Sequence, residues 1–264
     1  MTFTTPRGPQ RIVCLTEETT ELLYLLGEQD RIVGITAYTE RPPEARRDKP
    51  VVSAFVGGSV DRIRALRPDL VIGFSDVQAN YARELIAAGL PVLIFNQRSI
   101  QEILEVLDTI GRIVGAQDAT ARLLDSYVRR LDAAAQRAAR QTHRPAVYFE
   151  EWHDPMISAI RWVSELIELA GGRDVFASLS HGAASKDRHV TPALVAEAAP
   201  ELILACWCGK PLDEAELRAR LDPDIPALRS GQLHELPPEI ILQPGPACLT
   251  DGLDLLERLI DGAR

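Results

Sequence analysis

Residues 116–142 read AQDATARLLDSYVRRLDAAAQRAARQT, from Ala116 to Thr142, with no Gly and no Pro. This stretch limits the possible folds more than any other. Apolar side chains recur at Leu124, Tyr127/Val128, Leu131, Ala134/Ala135 and Ala138, and spacings of three and four place them on one helical face. Arg122, Asp125, Arg129, Arg130, Asp132, Arg137 and Arg140 take the rest of the circumference, so that side is expected to be solvated. Such a helix is roughly 40 Å long at 1.5 Å per residue. It is either a surface helix of one domain or a strut between two lobes, and the flanking sequence decides.

Short apolar runs alternate with helical patterns on both sides. Upstream, strands are predicted at Arg11–Leu15, Ile32–Ile35, Val51–Phe55, Leu70–Phe74 and Val92–Phe95. Helices are predicted at Thr19–Leu26, Val60–Leu66 and Ala79–Ala88, closed by Gly27, Pro68 and Gly89. Ser99-Ile100-Gln101-Glu102 has the form of a capping box opening a further helix. Downstream, strands at Ala146–Glu150 and Leu202–Cys206 alternate with helices at Val163–Ala170, Pro192–Ala198, Glu214–Leu221 and Leu249–Ile260. Alternation of this kind means parallel α/β sheets.

The second half also echoes the first in order. Thr20–Gly27 (TELLYLLG) returns as Ser164–Gly171 (SELIELAG), and Arg67–Ile72 (RPDLVI) returns as Ala199–Leu204 (APELIL). The expected fold is therefore α/β, with two similar Rossmann-like lobes joined by a single long α-helix and a ligand cleft between them. The divisions are 1–98 for the first lobe, 99–143 for a helical connector and 144–264 for the second lobe. A stiff helical connection implies little hinge closure.

Composition narrows the functions. Apolar residues make up 46% of the 264 and charged residues 25%, the balance of a globular chain. The net charge of −9 has no compensating basic block, which argues against nucleic acid or an anionic membrane as partner. No apolar run is long enough to insert in a membrane. The N-terminus MTFTTPRGPQRIVCL lacks the charged and apolar regions of a leader. The expected location is thus cytoplasmic, and periplasmic or cell-surface only if the true start lies upstream. Cys14, Cys206, Cys208 and Cys248 are too scattered for a disulfide framework. No Walker A loop and no G-x-G-x-x-G is present, and no Ser/His/Asp constellation can be assigned from spacing. All five His lie after the long helix.

Strand ends supply the candidate site residues. Glu150-Glu151-Trp152-His153-Asp154 is either a solvated loop or a cleft floor, with Trp152 as a stacking surface. Arg161-Trp162 opens the next helix, and Lys186-Asp187-Arg188 either presents cations to an acidic ligand or is a plain surface loop. In Cys206-Trp207-Cys208, strand alternation places both thiols on one side and Trp207 on the other; the thiols are either buried and inert beside a cleft Trp207 or a zinc-binding pair, for which two intervening residues are the favoured spacing. Ser53, Ser75-Asp76, Asn96-Gln97-Arg98 and Gln243 are hydrogen-bonding candidates.

The architecture, the opening strand with its Thr16-Glu17-Glu18-Thr19 loop, and the Leu66-Arg67-Pro68-Asp69-Leu70-Val71 segment resemble the helical-backbone substrate-binding proteins of ABC importers. The nearest relatives by this resemblance are the vitamin B12-binding and iron–siderophore or haem-binding types, of which this would be a signal-less branch. The resemblance implies ligand contacts from Glu17, from Tyr38 and Phe74 as cleft aromatics, and from Phe55 where the B12 binder stacks a tryptophan. It implies permease docking through Asp61, whereas the equivalent position of the second lobe falls near Ala193, which cannot form that ion pair. Glu239–Gln243 lacks the aromatic residue of a B12 binder. The expected function is non-catalytic binding of a corrinoid, or of haem or an iron–siderophore. It would serve ABC-type uptake or a cytoplasmic counterpart, with no required cofactor, no metal site and a permease as the possible protein partner. The alternative is an enzyme or sensor acting on a polar metabolite or tetrapyrrole, with Glu150, Glu151 or His153 as acid–base groups.

Overall fold

In the computed structural model, which describes residues 8–182 and 184–263, the predicted alternation resolves into strands and helices in chain order. The first part comprises β1 (Ile12–Cys14), α1 (Glu17–Leu25), β2 (Ile32–Thr36), α2 (Pro43–Asp48), β3 (Val51–Ser53), α3 (Val60–Ala65), β4 (Leu70–Phe74), α4 (Ala79–Ala87) and β5 (Val92–Phe95). Two helices follow, α5 (Ile100–Val114) and α6 (Gln117–Ala138). The second part comprises β6 (Ala146–His153), β7 (Met156–Ser158), α7 (Arg161–Leu169), β8 (Arg173–Asp174), α8 (Pro192–Ala198) and β9 (Leu202–Ala205). It continues with α9 (Glu214–Arg220), α10 (Pro226–Ser230), β10 (Leu233–Glu235), α11 (Pro238–Ile241) and α12 (Leu253–Gly262).

The chain divides into two units. One holds the chain up to Gln97 together with Gln101–Ser126, and the other holds Arg98–Ile100 and the chain from Tyr127 onward. In the first, all strands are parallel in the order β3-β2-β1-β4-β5. Val13, Leu15, Ile63, Val71 and Leu85 close its core at 5% exposure or less. In the second, β10-β9-β6 and β8 on β6 are parallel, and β7 is antiparallel to β6. Its core gathers Tyr148, Val195, Ile203, Trp207 and Leu217.

The repeat seen in the sequence is reproduced bond for bond. α1 ends at Gly27 (φ +75°) and α7 at Gly171 (φ +92°), a left-handed conformation that glycine adopts without a Cβ clash. Glu28 N–H reaches Leu23 O at 2.8 Å, and Gly172 N–H reaches Ile167 O at 2.9 Å. This is the six-to-one bond of a helix stop at equivalent positions. Arg67 and Ala199, each before a proline, are both left-handed at φ +49° and +45°, outside the right-handed helical region that a following proline ring disfavours. Asp69 then bonds Arg11 O at 2.9 Å, as Glu201 bonds Ala146 O at 2.8 Å, so β4 and β9 enter their sheets alike.

Three expectations need correction. The long helix is 22 residues, Gln117–Ala138, about 33 Å. Past Ala138 the bonds shorten to i→i−3, Arg140 N–H to Arg137 O and Gln141 N–H to Ala138 O. Its charged side is not simply solvated, since Arg130 pairs with Asp254 and Arg137 with Glu257 of α12. Finally, the strand predicted to end at Glu150 runs on, so that Glu151–His153 is strand rather than loop. The chain turns at Asp154-Pro155, and β7 returns along it with Trp152 opposite Ile157 and His153 opposite Met156. Polar side chains hid this extension, because an ion pair formed elsewhere in the fold supplies the partner of Glu151. Among the described residues no helix is long and apolar enough to cross a membrane.

Candidate functional site

In an open parallel sheet the loops at the carboxyl ends of the strands are free to carry function, above all where the strand order reverses. In the first unit the reversal lies between β1 and β4. The loop after β2 carries Tyr38, 50% exposed, the loop after β3 carries Phe55 (half-buried) and Val56 (63% exposed), and the turn after β4 carries Val77 (57% exposed). Three large apolar side chains thus face water on loops at the carboxyl ends of one sheet.

The loops are held by buried polar groups. Glu17, 2% exposed, accepts from the Glu40 and Arg41 backbone amides at 2.9 and 2.6 Å, so it anchors the loop that follows Tyr38. Its other oxygen has no partner, and burial pushes the carboxyl up to about 8. Glu18, buried beside it, accepts from the Thr16 hydroxyl at 2.6 Å and is pushed by burial up to about 7. Ser75 takes φ +81°, and its Oγ accepts from Val77 N–H at 3.3 Å. Gln78, fully buried, joins three loops. Its Oε1 accepts from Phe74 N–H at 3.0 Å, and its Nε2 donates to Phe55 O at 2.6 Å and to Leu15 O at 3.5 Å. Gln97 is buried and lines a cavity of ≈ 340 Å³ with Phe95, Asn96, Glu102 and Glu105.

In the second unit, β6 ends in a ring stack. His153 lies between Trp152 (centroids 4.7 Å) and Trp207 (4.6 Å). Lys210 Nζ donates to His153 Nε2 at 3.2 Å and stands 4.9 Å over the Trp207 ring. Below this stack Glu150, fully buried, accepts from Tyr148 Oη at 3.0 Å, from Trp207 Nε1 at 2.8 Å and from Arg220. Glu151 is held by Arg188 through two bonds at 2.6 and 3.0 Å. The acid–base alternative therefore loses both carboxylates, since each neutralises a cation within its own unit.

Several expected ligand contacts are interior instead. Trp162 is 2% exposed, and its Nε1 donates to Ile241 O at 3.0 Å. Trp207 is 2% exposed and belongs to the core. Phe74 is 7% exposed. Through its bond to Ile241 O, Trp162 packs against α11. Cys206 is buried but Cys208 is exposed, because β9 stops at Ala205 and strand alternation does not continue past it. Arg188 is not offered to a ligand, whereas Lys186 is exposed on the turn that Arg188 anchors. Gln243 is half-buried just after α11, and Trp152 is half-buried with its Nε1 donating to Asp154 O. Asp61 and Ala193 are both exposed in the first turns of α3 and α8, which precede the equivalent strands β4 and β9, and Asp61 pairs with Arg64 at 2.8 Å. Sequence reasoning missed Val56, Val77, Gln78 and Arg220. None lies in a motif, and single apolar or amide residues in loops carry no periodic signal. Among the described residues no cluster of His, Cys, Asp and Glu is arranged to hold a metal ion.

Comparison with known proteins adds lineage to this geometry. The profile described as "Periplasmic binding protein" matches residues 12–240. The vitamin B12-binding protein of Yersinia pestis (strain Pestoides F) is 28% identical over 173 residues, which is 65% of this chain and 61% of that relative. The chain thus spans less than two thirds of the curated relatives it matches. The structure is similar to a periplasmic heme-binding protein from Roseiflexus sp. RS-1 in apo form, with TM-score 0.80 and 26% identity over 97% of this chain and 100% of the other. It is also similar to the periplasmic vitamin B12 binding protein of Vibrio cholerae, with TM-score 0.76 and 19% identity over 98% and 99%, a likeness of fold.

Proposed function

Because this chain belongs to the periplasmic binding protein family, we propose that it binds, without catalysis, a bulky and largely apolar ring ligand of the corrinoid or haem type. One observation supports this most directly. Tyr38, Val56 and Val77 are 50%, 63% and 57% exposed on loops at the carboxyl ends of the first sheet, where this architecture places ligands. A polar metabolite has no use for three exposed apolar tips, whereas a macrocycle several rings wide covers them and removes them from water. The similarity to B12-binding and heme-binding proteins supports the same chemistry.

The second unit, taken by itself, carries polar groups at its strand ends. Lys210, Lys186 and the half-buried Trp152–His153 pair offer cations and ring faces around the ends of β6 and β9. The role follows as binding component of an ABC-type uptake system or a cytoplasmic counterpart. A permease would meet Asp61 on the first unit but only Ala193 on the second, so docking through acidic residues would be one-sided.

Absorbance titration with haem, cobalamin and cobinamide tests the proposal. At least one is expected to bind at micromolar concentration or tighter, with Tyr38→Ala and Val77→Asp each weakening it. No binding to any of the three at high micromolar removes the reading.

A further inference from the structure

We infer that Gln78 is a positioning residue for the ligand face of the first unit, and that Val56 and Val77 set its specificity for an apolar ring. This rests on the ligand-binding reading above. The crevice where the strand order reverses, between the ends of β1 and β4, is the place where many open sheets admit a ligand. Here the Gln78 side chain fills it, bonded to Leu15 O on the β1 side and to Phe74 N–H on the β4 side. The residue is fully buried, so these bonds face no competition from water. Gly73 makes the fit possible, because a Cβ there would lie 2.3 Å from Gln78 Oε1.

The third bond carries the functional consequence. At 2.6 Å from Gln78 Nε2, Phe55 O is drawn from the loop after β3 toward the turn after β4. The chain neighbours of the bonded pair are Val56 and Val77, two of the most exposed large apolar side chains described. One buried amide therefore brings two loops from non-adjacent strands into register and turns their apolar tips into a single face. A ligand meets that face above a closed crevice, which excludes insertion between β1 and β4 and favours a flat ring lying across the loops.

Three variants and two readouts test this. Gln78→Met keeps the volume and removes all three bonds. Hydrogen exchange of the segment 54–58 is expected to quicken about tenfold, while segments 12–14 and 202–205 keep their protection. Equal acceleration everywhere would show a merely structural role and overturn the inference. Gln78→Glu keeps an acceptor and, when protonated, a donor to Phe55 O, so at pH 5 the same segment is expected to recover the wild-type exchange that Gln78→Met loses. Absence of that recovery also counts against it. In haem and cobalamin titrations Gln78→Met should weaken binding about tenfold, and should have a smaller effect in a Phe55→Ala, Val56→Ala background. Full additivity would show that Gln78 does not act through that loop. If the wild-type chain binds neither compound, the functional reading fails, and exchange at 54–58 still decides whether Gln78 holds the face.

Discussion

Raising the pH from 5 to 9 is expected to loosen the first unit. Glu17 moves from 4.5 to about 8 and Glu18 from 4.5 to about 7, burial being the main cause in both. A carboxyl whose folded pKa lies above its unfolded value binds more protons when folded, so its contribution is complete below about 4.5 and is lost as pH rises through the folded value. For Glu17 the interval sets a ceiling of about 5 kcal/mol at about 1.4 kcal/mol per unit. The carboxyl can also rehydrate by local opening, since it is tied to the loop after Tyr38 by only two backbone bonds. Breaking those bonds costs about 1 kcal/mol each, so the expected loss is about 2–3 kcal/mol. The assay is urea unfolding at several pH values, followed in parallel by far-UV circular dichroism and by tryptophan fluorescence. All three tryptophans belong to the second unit, where burial also raises the Asp174 carboxyl, so fluorescence follows that unit's own pH response and the difference between wild type and Glu17→Gln isolates the first. Glu17→Gln keeps an acceptor for the Glu40 and Arg41 amides and cannot ionise, and should flatten the dichroism midpoint between pH 6 and 9. Glu18→Gln in the same background should remove the remaining slope. A wild-type dichroism midpoint that holds or rises from pH 5 to 8, or a Glu17→Gln curve parallel to wild type, refutes this reasoning.

Other perturbations separate structural from ligand-facing groups. Trp162→Phe should lower stability by about 1–2 kcal/mol through the lost bond to Ile241 O, and leave haem or cobalamin affinity unchanged. Arg220→Ala leaves the buried Glu150 without its cation, which costs about 3–5 kcal/mol; the fluorescence-detected urea midpoint should fall, and Arg220→Met with Glu150→Gln should recover most of it. Gly27→Ala should cost about 1 kcal/mol from its left-handed backbone alone. Gly171→Ala should cost more, because its Cβ would also displace the Gln141 amide, and parallel thermal melts of the two variants compare them directly.

The larger part of the fold is legible in the sequence. Gly27 and Gly171, Arg67-Pro68 and Ala199-Pro200 mark equivalent helix stops, and equivalent backbone bonds appear at both places. These signals are local, since a left-handed residue or a proline acts on its own turn whatever surrounds it. The misread segments were short or disguised: β7, β8 and β10 have three residues or fewer, and the polar side chains of Glu151 and His153 concealed the end of β6. The site was less legible. Trp162 and Trp207 looked like ligand aromatics, because a large ring beside charged residues reads the same whether it faces a ligand or its own core.

The amino-acid order alone determined the α/β alternation, the duplication and the long helix between the two copies. All three follow from hydrophobic period and backbone stops acting within a few residues. Only the tertiary structure decided which strand-end residues face outward and which are enclosed. Burial of Trp162 depends on Ile241, that of Glu150 on Arg220, and the setting of Phe55 on Gln78. Those partners are 23 to 79 positions apart, and no local pattern can pair them. Their meeting is a product of how sheets and helices pack, and the ligand face is built from those meetings.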